Sequence, residues 1–247
     1  MKLGSNEWSN LIVQSAQKLG VHLDSYQTHL LVAHARELIH WNKRINLTSI
    51  KDPLEIAVKH FVDSLSPAPL IPPYSTLLDI GSGGGFPGIP LKVAIPSLAV
   101  TLIDASRKKV SFLKHVIRML KLPTIEARHI RAENLANDLE YTMRYDVIVS
   151  RALSKLDSFV AFAYPLLAEN GVIIALKGRV DRMELNALKP FIFLPANDPE
   201  SKPIRFSFSI EAYTLPVLKS QRSLIVLRKT KRDFNDSEFA QFDEPDV

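Results

Sequence analysis

The chain contains no cysteine. Disulfides, thiolate metal centres and cysteine nucleophiles are excluded, and with them any activation of a pyrimidine ring by a thiol. The longest apolar run, Phe159 to Ala168, is broken by Pro165 and is too short to span a bilayer. The opening residues Met1-Lys2-Leu3-Gly4-Ser5-Asn6-Glu7 carry no apolar signal region, so a soluble, cytoplasmic protein with no membrane partner is expected. The histidines offer no metal pair at i, i+4, since His29 and His34 are five apart and His34 and His40 six; no metal is expected. Glycine is also scarce, nine in 247 residues, which makes its distribution informative.

Five of the nine, Gly81, Gly83, Gly84, Gly85 and Gly88, fall within eight residues directly after the apolar run Thr76-Leu77-Leu78-Asp79-Ile80. Only glycine accepts positive φ without strain and lets a backbone lie bare against a ligand. Gly83-Gly84-Gly85-Phe86-Pro87-Gly88 formally matches the dinucleotide fingerprint G-x-G-x-x-G. Asp79 departs from that pattern. A dinucleotide site places pyrophosphate at the helix N-terminus, whereas an acid two residues before the first glycine suits a cationic ligand such as S-adenosylmethionine, which carries an ammonium and a sulfonium but no phosphate. The next strand, Ala99-Val100-Thr101-Leu102-Ile103, ends in Asp104, a carboxylate placed to accept both ribose hydroxyls of either ligand.

Lys and Arg number 31 against 26 Asp and Glu, a net charge of +5. Six of the acids (Asp233, Asp236, Glu238, Asp243, Glu244, Asp246) lie in residues 233–247, which hold no Lys or Arg; the rest therefore has 31 basic and 20 acidic residues, a net +11. Such a surplus favours a polyanionic partner, and the acidic end reads as a disordered tail able to screen it.

The first 75 residues or so have a helical pattern: Leu31, Ala35, Leu38 and Ile45, with Trp41 beside them, mark one apolar face, and Asp52-Pro53 starts a further helix reaching about Leu65. Residues 67–73, rich in proline, link this cap to the remainder of the chain. From Thr76, strands near 76–80, 99–103, 124–128, 145–149 and 171–176 alternate with helices near 87–95, 106–121, 131–140, 156–168 and 180–188. This alternation predicts an α/β fold, a Rossmann-like doubly wound parallel sheet. Two strands near 204–213 and 222–228 then predict an antiparallel pair at the sheet edge, the arrangement of class I S-adenosylmethionine-dependent methyltransferases. The expected division is a helical cap at 1–75, a methyltransferase core at 76–230 and an acidic tail at 231–247.

In helix 106–121, Val110, Leu113, Ile117 and Leu120 form the buried stripe, while Arg107, Lys114, Arg118 and Lys121 share the opposite face with Ser111. That face suits either water or RNA. His60 and Asp63 share a helix face at i, i+3 next to Ser64 but lack the geometry of a hydrolase triad, and read as a buried polar cluster. Asn46 and Thr48 read either as capping the turn after the preceding helix or as helping to shape the floor of the site, Trp41 as core rather than a base-stacking platform. Arg151, after strand 145–149, falls at the carboxyl end of the sheet, where open α/β folds bind ligands.

These residues together resemble the RsmG (GidB) family of ribosomal RNA small subunit guanine-N7 methyltransferases. The resemblance covers about residues 25–230 and rests on Trp41-Asn42-Lys43-Arg44-Ile45-Asn46-Leu47-Thr48-Ser49, His60-Phe61-Val62-Asp63-Ser64 and Asp79 through Pro90. It continues through Leu102-Ile103-Asp104, Arg131-Ala132-Glu133, Asp146 through Ala152 and Leu176-Lys177-Gly178. It implies S-adenosylmethionine as methyl donor, N7 of a guanine in the decoding region of bacterial small-subunit ribosomal RNA as acceptor, and the RNA or an assembling ribosomal particle as partner; a monomer is expected. It implies cofactor contacts at Gly81, Phe86, Asp104, Ala132, Glu133 and Arg151, to which the loop adds Asp79 and Gly83. The family pattern has serine after Asp104; here Ala105 stands there, so a hydroxyl contact falls to Ser106. RNA contacts are expected at Lys43, Arg44, Arg107, Lys114, Arg118 and Lys177, and the catalytic candidates are Arg151, Lys177, His60 and Asp63. An NAD-dependent oxidoreductase and a non-catalytic RNA-binding module are the competing readings.

Overall fold

Ser5, Asp24 and Asp52 each accept a backbone N–H from the turn after them, and each starts a helix. The structure is a computed structural model and describes residues 1–151, 156–178, 180, 192–193 and 204–229. Helix α1 is Asn6–Lys18 and α2 is Ser25–Asn42. The start of α2 is a full capping box, in which Asp24 Oδ1 accepts from Gln27 N at 2.7 Å and the Gln27 side chain accepts from Asp24 N at 2.9 Å. Helix α3 begins as Pro53–Glu55, passes through a π-helical stretch, Ile56–Val62, and ends as Asp63–Leu65.

Asn42, rather than Asn46 or Thr48, closes the turn after α2. Its side chain accepts from Leu47 N at 2.8 Å and Thr48 N at 3.0 Å and donates to Thr48 O at 2.8 Å, which satisfies backbone groups that a helix end leaves open.

From Thr76 the expected alternation appears: β1 (Thr76–Ile80), α4 (Gly88–Ala94), β2 (Ala99–Asp104), α5 (Arg107–Met119) and β3 (Ile125–His129). Next come α6 (Ala132–Ala136), β4 (Tyr145–Ser150), α7 (Leu156–Ala163) and β5 (Leu167–Lys177). The chain closes with β6 (Ile192–Phe193), β7 (Ile204–Thr214) and β8 (Gln221–Lys229). The strand order is β3-β2-β1-β4-β5-β8-β7-β6, with β1 to β5 parallel and the last three antiparallel. Two helices are shorter than their patterns suggest. Asp138 takes the N–H of Glu140 and turns the chain after α6, and Pro165, which has no N–H to donate, ends α7 before residue 168. Lys121 lies past the end of α5 with φ +51°, so it leaves the basic face of that helix. The predicted helix at 180–188 and the acidic tail lie outside the described residues.

Alternation along the strands sorts the interior into two layers. Leu77, Val100, Leu102, Val147, Val149, Val172 and Val226 pack with α1 to α5 on one face; Leu78, Ile103, Ile148, Ile173 and Ile225 pack with α6 and α7 on the other. The helices before Thr76 thus share one apolar core with the sheet. Asp79, Asp104 and Arg151 have the parity of the first set and fall on the side that carries α2 and α3. Among the described residues no helix is long and apolar enough to cross a membrane, and no group of three or more His, Asp or Glu could hold a metal.

Candidate active site

Strand order reverses between β1, which leads to β2, and β4, which lies on its other side. Ligands of open α/β sheets bind outside the carboxyl ends of the strands at such a point. The glycine loop leaves β1 there, pinned by Gly81 N and Ser82 N, which donate to Ile103 O at 2.9 and 3.0 Å. Gly81, Gly83 and Gly85 have φ of +75°, +55° and +89°. A Cβ on Gly81 would meet nothing within 4 Å and one on Gly83 only the Gly81 carbonyl at 3.9 Å, so the protein itself leaves the space over these two glycines open. Gly88 differs: a Cβ there would lie 2.3 Å from Leu102, so this glycine serves the packing of α4 on β2.

Two carboxylates hold the loop. Asp79 is fully buried; its Oδ2 accepts from Gly88 N at 2.9 Å, while Oδ1 has no hydrogen-bond partner. Burial raises its pKa from 3.8 to about 7, against the opposing pull of the Gly88 bond, the Ser82 hydroxyl and the Arg151 charge. Asp104 accepts from Gly83 N at 3.0 Å through Oδ2 and from Ser106 N at 2.8 Å through Oδ1. Each oxygen retains a second lone pair. The Ser106 hydroxyl makes no cap bond to α5.

Beyond the loop lies a stacked polar cluster. The buried Phe86 ring stacks with His34 (4.9 Å, 19°) and with His60 (4.8 Å, 16°), and the Arg151 guanidinium stands 4.9 Å from its centroid. Arg151 Nη1 donates to Lys59 O at 2.9 Å and Nη2 to His60 Nδ1 at 3.1 Å. A guanidinium can only donate, so His60 carries its proton on Nε2 and gives it to the Thr48 hydroxyl at 2.7 Å. Burial, then the charge of Arg151, lowers the His60 pKa to about 3. Sequence reasoning passed over His34, which lacks any neighbouring motif. Its Nε2 donates to Gly84 O at 2.8 Å, and burial lowers its pKa to about 4.

Asp63 does not join this cluster. It is fully buried, its Oδ1 accepts from Tyr213 Oη at 2.8 Å and Arg222 Nε at 2.9 Å, and its Oδ2 accepts from Arg222 Nη2. In an α-helix His60 and Asp63 would share a face; the π-helical register sends them to different partners. Ser64 donates to His60 O, which leaves no triad. Ala132 and the exposed Glu133 begin α6 after β3, the strand beside β2, so they lie on the Asp104 side of the loop. Lys43, Arg44, Arg107, Lys114 and Arg118 are exposed. Lys177, half-buried at the end of β5, stands three strands from β2, about 14 Å across the sheet, and flanks the site from the opposite side.

The three shifted groups set an acid dependence of stability. His34 and His60 are held neutral well below their ordinary 6.5, so the unfolded chain binds their protons first as pH falls through 6.5. Asp79 works the other way, since the folded chain keeps a proton that an unfolded carboxyl releases above 3.8. Between about pH 6.5 and 4, two protons taken by the unfolded chain oppose one held by the folded chain. Stability should fall by up to about 1.4 kcal/mol per pH unit. Urea unfolding at pH 6.5, 5.5 and 4.5 reads this slope; His34→Gln, which keeps a donor for Gly84 O and cannot titrate, should flatten it by about one proton, and an unchanged slope in that variant contradicts the assignment.

The comparisons with known proteins agree with this geometry. Among solved structures, an O-methyltransferase from Bacillus cereus in complex with SAH superimposes with a TM-score of 0.54 at 17% identity, over 80% of this chain and 91% of that one. A SAM-dependent methyltransferase from Aquifex aeolicus gives 0.52 at 12% identity, over 78% and 98%. At such identities the likeness shows the fold, the class I S-adenosylmethionine-dependent methyltransferase fold. Sequence relatives are nearer. The ribosomal RNA small subunit methyltransferase G of Geotalea uraniireducens (strain Rf4) is 44% identical over 219 residues, 89% of this chain and 95% of its own. That of Syntrophus aciditrophicus (strain SB) is 40% identical over 226 residues, 91% and 90%. Residues 27–201 match the family described as GidB, rRNA small subunit methyltransferase G, and with that match and these identities the chain belongs to this family.

Proposed function

We propose that the protein transfers a methyl group from S-adenosylmethionine to N7 of a guanine in the decoding region of bacterial small-subunit ribosomal RNA. The observation that carries the chemistry is that, beside an open glycine loop, the described acid and base candidates are committed to protein partners, and Asp79 lies fully buried behind the loop. Both nitrogens of His60 and both oxygens of Asp63 are engaged, and His60 is neutral with a pKa of about 3. Guanine N7 presents an in-plane lone pair and no proton, so its methylation needs none. Alignment can carry the step, with roughly 7–11 kcal/mol available from proximity and orientation.

The site residues fit the cofactor. The open space over Gly81 and Gly83 admits it, Asp104 keeps one lone pair per oxygen for ribose hydroxyls, and the unpartnered Asp79 Oδ1 supplies negative charge behind the loop. When bound, S-adenosylmethionine supplies an electrophilic methyl group on a sulfonium. Phe86 borders its methionine end, Ala132 and Glu133 its adenine. Arg151 spends two of its five N–H donors on Lys59 and His60, and a guanine O6 edge is a suitable acceptor for another. A dehydrogenase reading loses its footing at Asp79, whose carboxylate takes the Gly88 N–H at the start of α4, the place a pyrophosphate requires. Residues 1–75 act in this reading as a cap on the 76–230 core, with 231–247 as an acidic tail. The enzyme works as a cytoplasmic monomer on the RNA or an assembling particle.

Single-turnover methylation of small-subunit ribosomal RNA, with the nucleosides analysed by mass spectrometry after digestion, tests this. At saturating cofactor the rate should be nearly level from pH 6.5 to 8.5, because methylation of N7 transfers no proton, while cofactor affinity should rise as Asp79 ionises near pH 7. A tenfold rise in rate per pH unit, or a product methylated on an exocyclic amine, overturns the mechanism.

A further inference from the structure

We propose that the cavity between the C-terminal end of α2 and helix α5 is a nucleobase subsite for single-stranded RNA, in which a nucleotide near the target stacks on Trp41 and His115. The proposal rests on the RNA-directed reading above. The cavity, about 510 Å³, is lined by Glu37, His40, Trp41, Arg44, Ile45 and His115, a volume within the range of small-ligand sites. Trp41 is only partly buried. Its indole is held edge-on by the buried Phe112 (5.7 Å, 62°) and lies 5.1 Å from the His115 ring, whose Nε2 is fixed on Glu37 Oε2 at 2.8 Å. Trp8, the other tryptophan, shows what a purely structural one looks like here: it is fully buried, and its Nε1–H donates to Pro53 O at 2.8 Å.

Charge selects the occupant. Exposed Lys43 and Arg44 directly follow α2, Arg44 lining the cavity, and exposed Lys114 and Arg118 lie on α5. An aromatic surface beside a cationic track is how proteins hold single-stranded nucleic acid, the bases on the rings and the phosphates on the charges. Position agrees. His34 bonds the loop carbonyl of Gly84, and Trp41 comes seven residues later on α2, about 10 Å along the axis. At roughly 3.4 Å per nucleotide of a strand, the base on Trp41 would be within a few nucleotides of one at the glycine loop.

The chain has two tryptophans and Trp8 is inaccessible, so quenching of intrinsic fluorescence reports Trp41. A single-stranded RNA oligonucleotide titrated into the full-length protein should quench it, and heparin, which has charge but no bases, should not. Trp41→Leu should weaken RNA binding about tenfold or more with an unchanged salt slope, whereas Trp41→Tyr, which keeps a stacking ring, should stay near wild type. S-adenosylhomocysteine affinity should be the same in all three. Arg44→Gln, at an exposed position, should lower the salt slope without abolishing the quench. RNA binding without quenching, equal quenching by heparin, or wild-type RNA affinity in Trp41→Leu overturns the subsite while methylation of ribosomal RNA by the wild type still stands. A wild-type protein that neither binds RNA nor methylates it overturns the reading on which the subsite rests, and the subsite with it.

Discussion

Arg222→Met is expected to cost about 3–5 kcal/mol of folding free energy, the loss incurred when one partner of a buried ion pair is removed. Asp63 is fully buried on α3 and spends both carboxylate oxygens on Arg222 of β8, sharing only one of them with Tyr213. Without the guanidinium the carboxylate keeps a single donor and cannot reach water. The converse change should be milder. Arg222 retains 24% of its side-chain surface, so in Asp63→Asn the guanidinium can still be hydrated and the amide oxygen can still accept from it. Asp63→Leu combined with Arg222→Met, which removes both charges, should recover most of the loss. Urea unfolding of the three variants measures the order; a loss under about 1 kcal/mol in Arg222→Met, or equal losses in the two single variants, contradicts it. The pair also has a functional side, because it ties the terminal hairpin to the helix that carries His60.

Asp104→Asn should lower S-adenosylhomocysteine affinity by about 1.5–3 kcal/mol, or roughly 10- to 150-fold, although the substitution preserves size and shape. Both carboxylate oxygens accept backbone N–H groups, Gly83 on one side and Ser106 on the other. An amide has one oxygen. However it turns, its NH₂ group must face one of these donors, so either the glycine loop or the start of α5 is released. The charge that would strengthen hydrogen bonds from ribose hydroxyls is lost as well. Calorimetric titration measures the affinity, with the thermal midpoint as a check that the variant is folded. Full affinity in a folded Asp104→Asn protein removes Asp104 from the site.

Much of this was readable in the residues, because the signals involved are local. Period-2 runs and the capping Asp52 each act within a few residues, and they set the strands and the start of α3. The glycine cluster after β1 and the acid after β2 are likewise local, and parallel pairing alone brings Gly83 to Asp104. The helix ends at α6 and α7 were misjudged where one side chain or one missing N–H competes with the apolar pattern.

Local residue patterns were therefore enough for the order of elements from β1 to β5, the closing antiparallel pair β7 and β8, and the end of the doubly wound sheet where the glycine loop lies, while β6 was not read from them. The partners of the buried polar groups were left to tertiary packing: His34 with Gly84, 50 residues away; Arg151 with His60, 91 away; Asp63 with Arg222, 159 away. Packing also places Trp41 between the core, against which it lies partly buried, and a cavity wall. No local pattern encodes such choices. A buried donor or acceptor must find a partner among whatever packing brings within about 3 Å, and for these residues the candidates come from segments that meet only after the chain has folded.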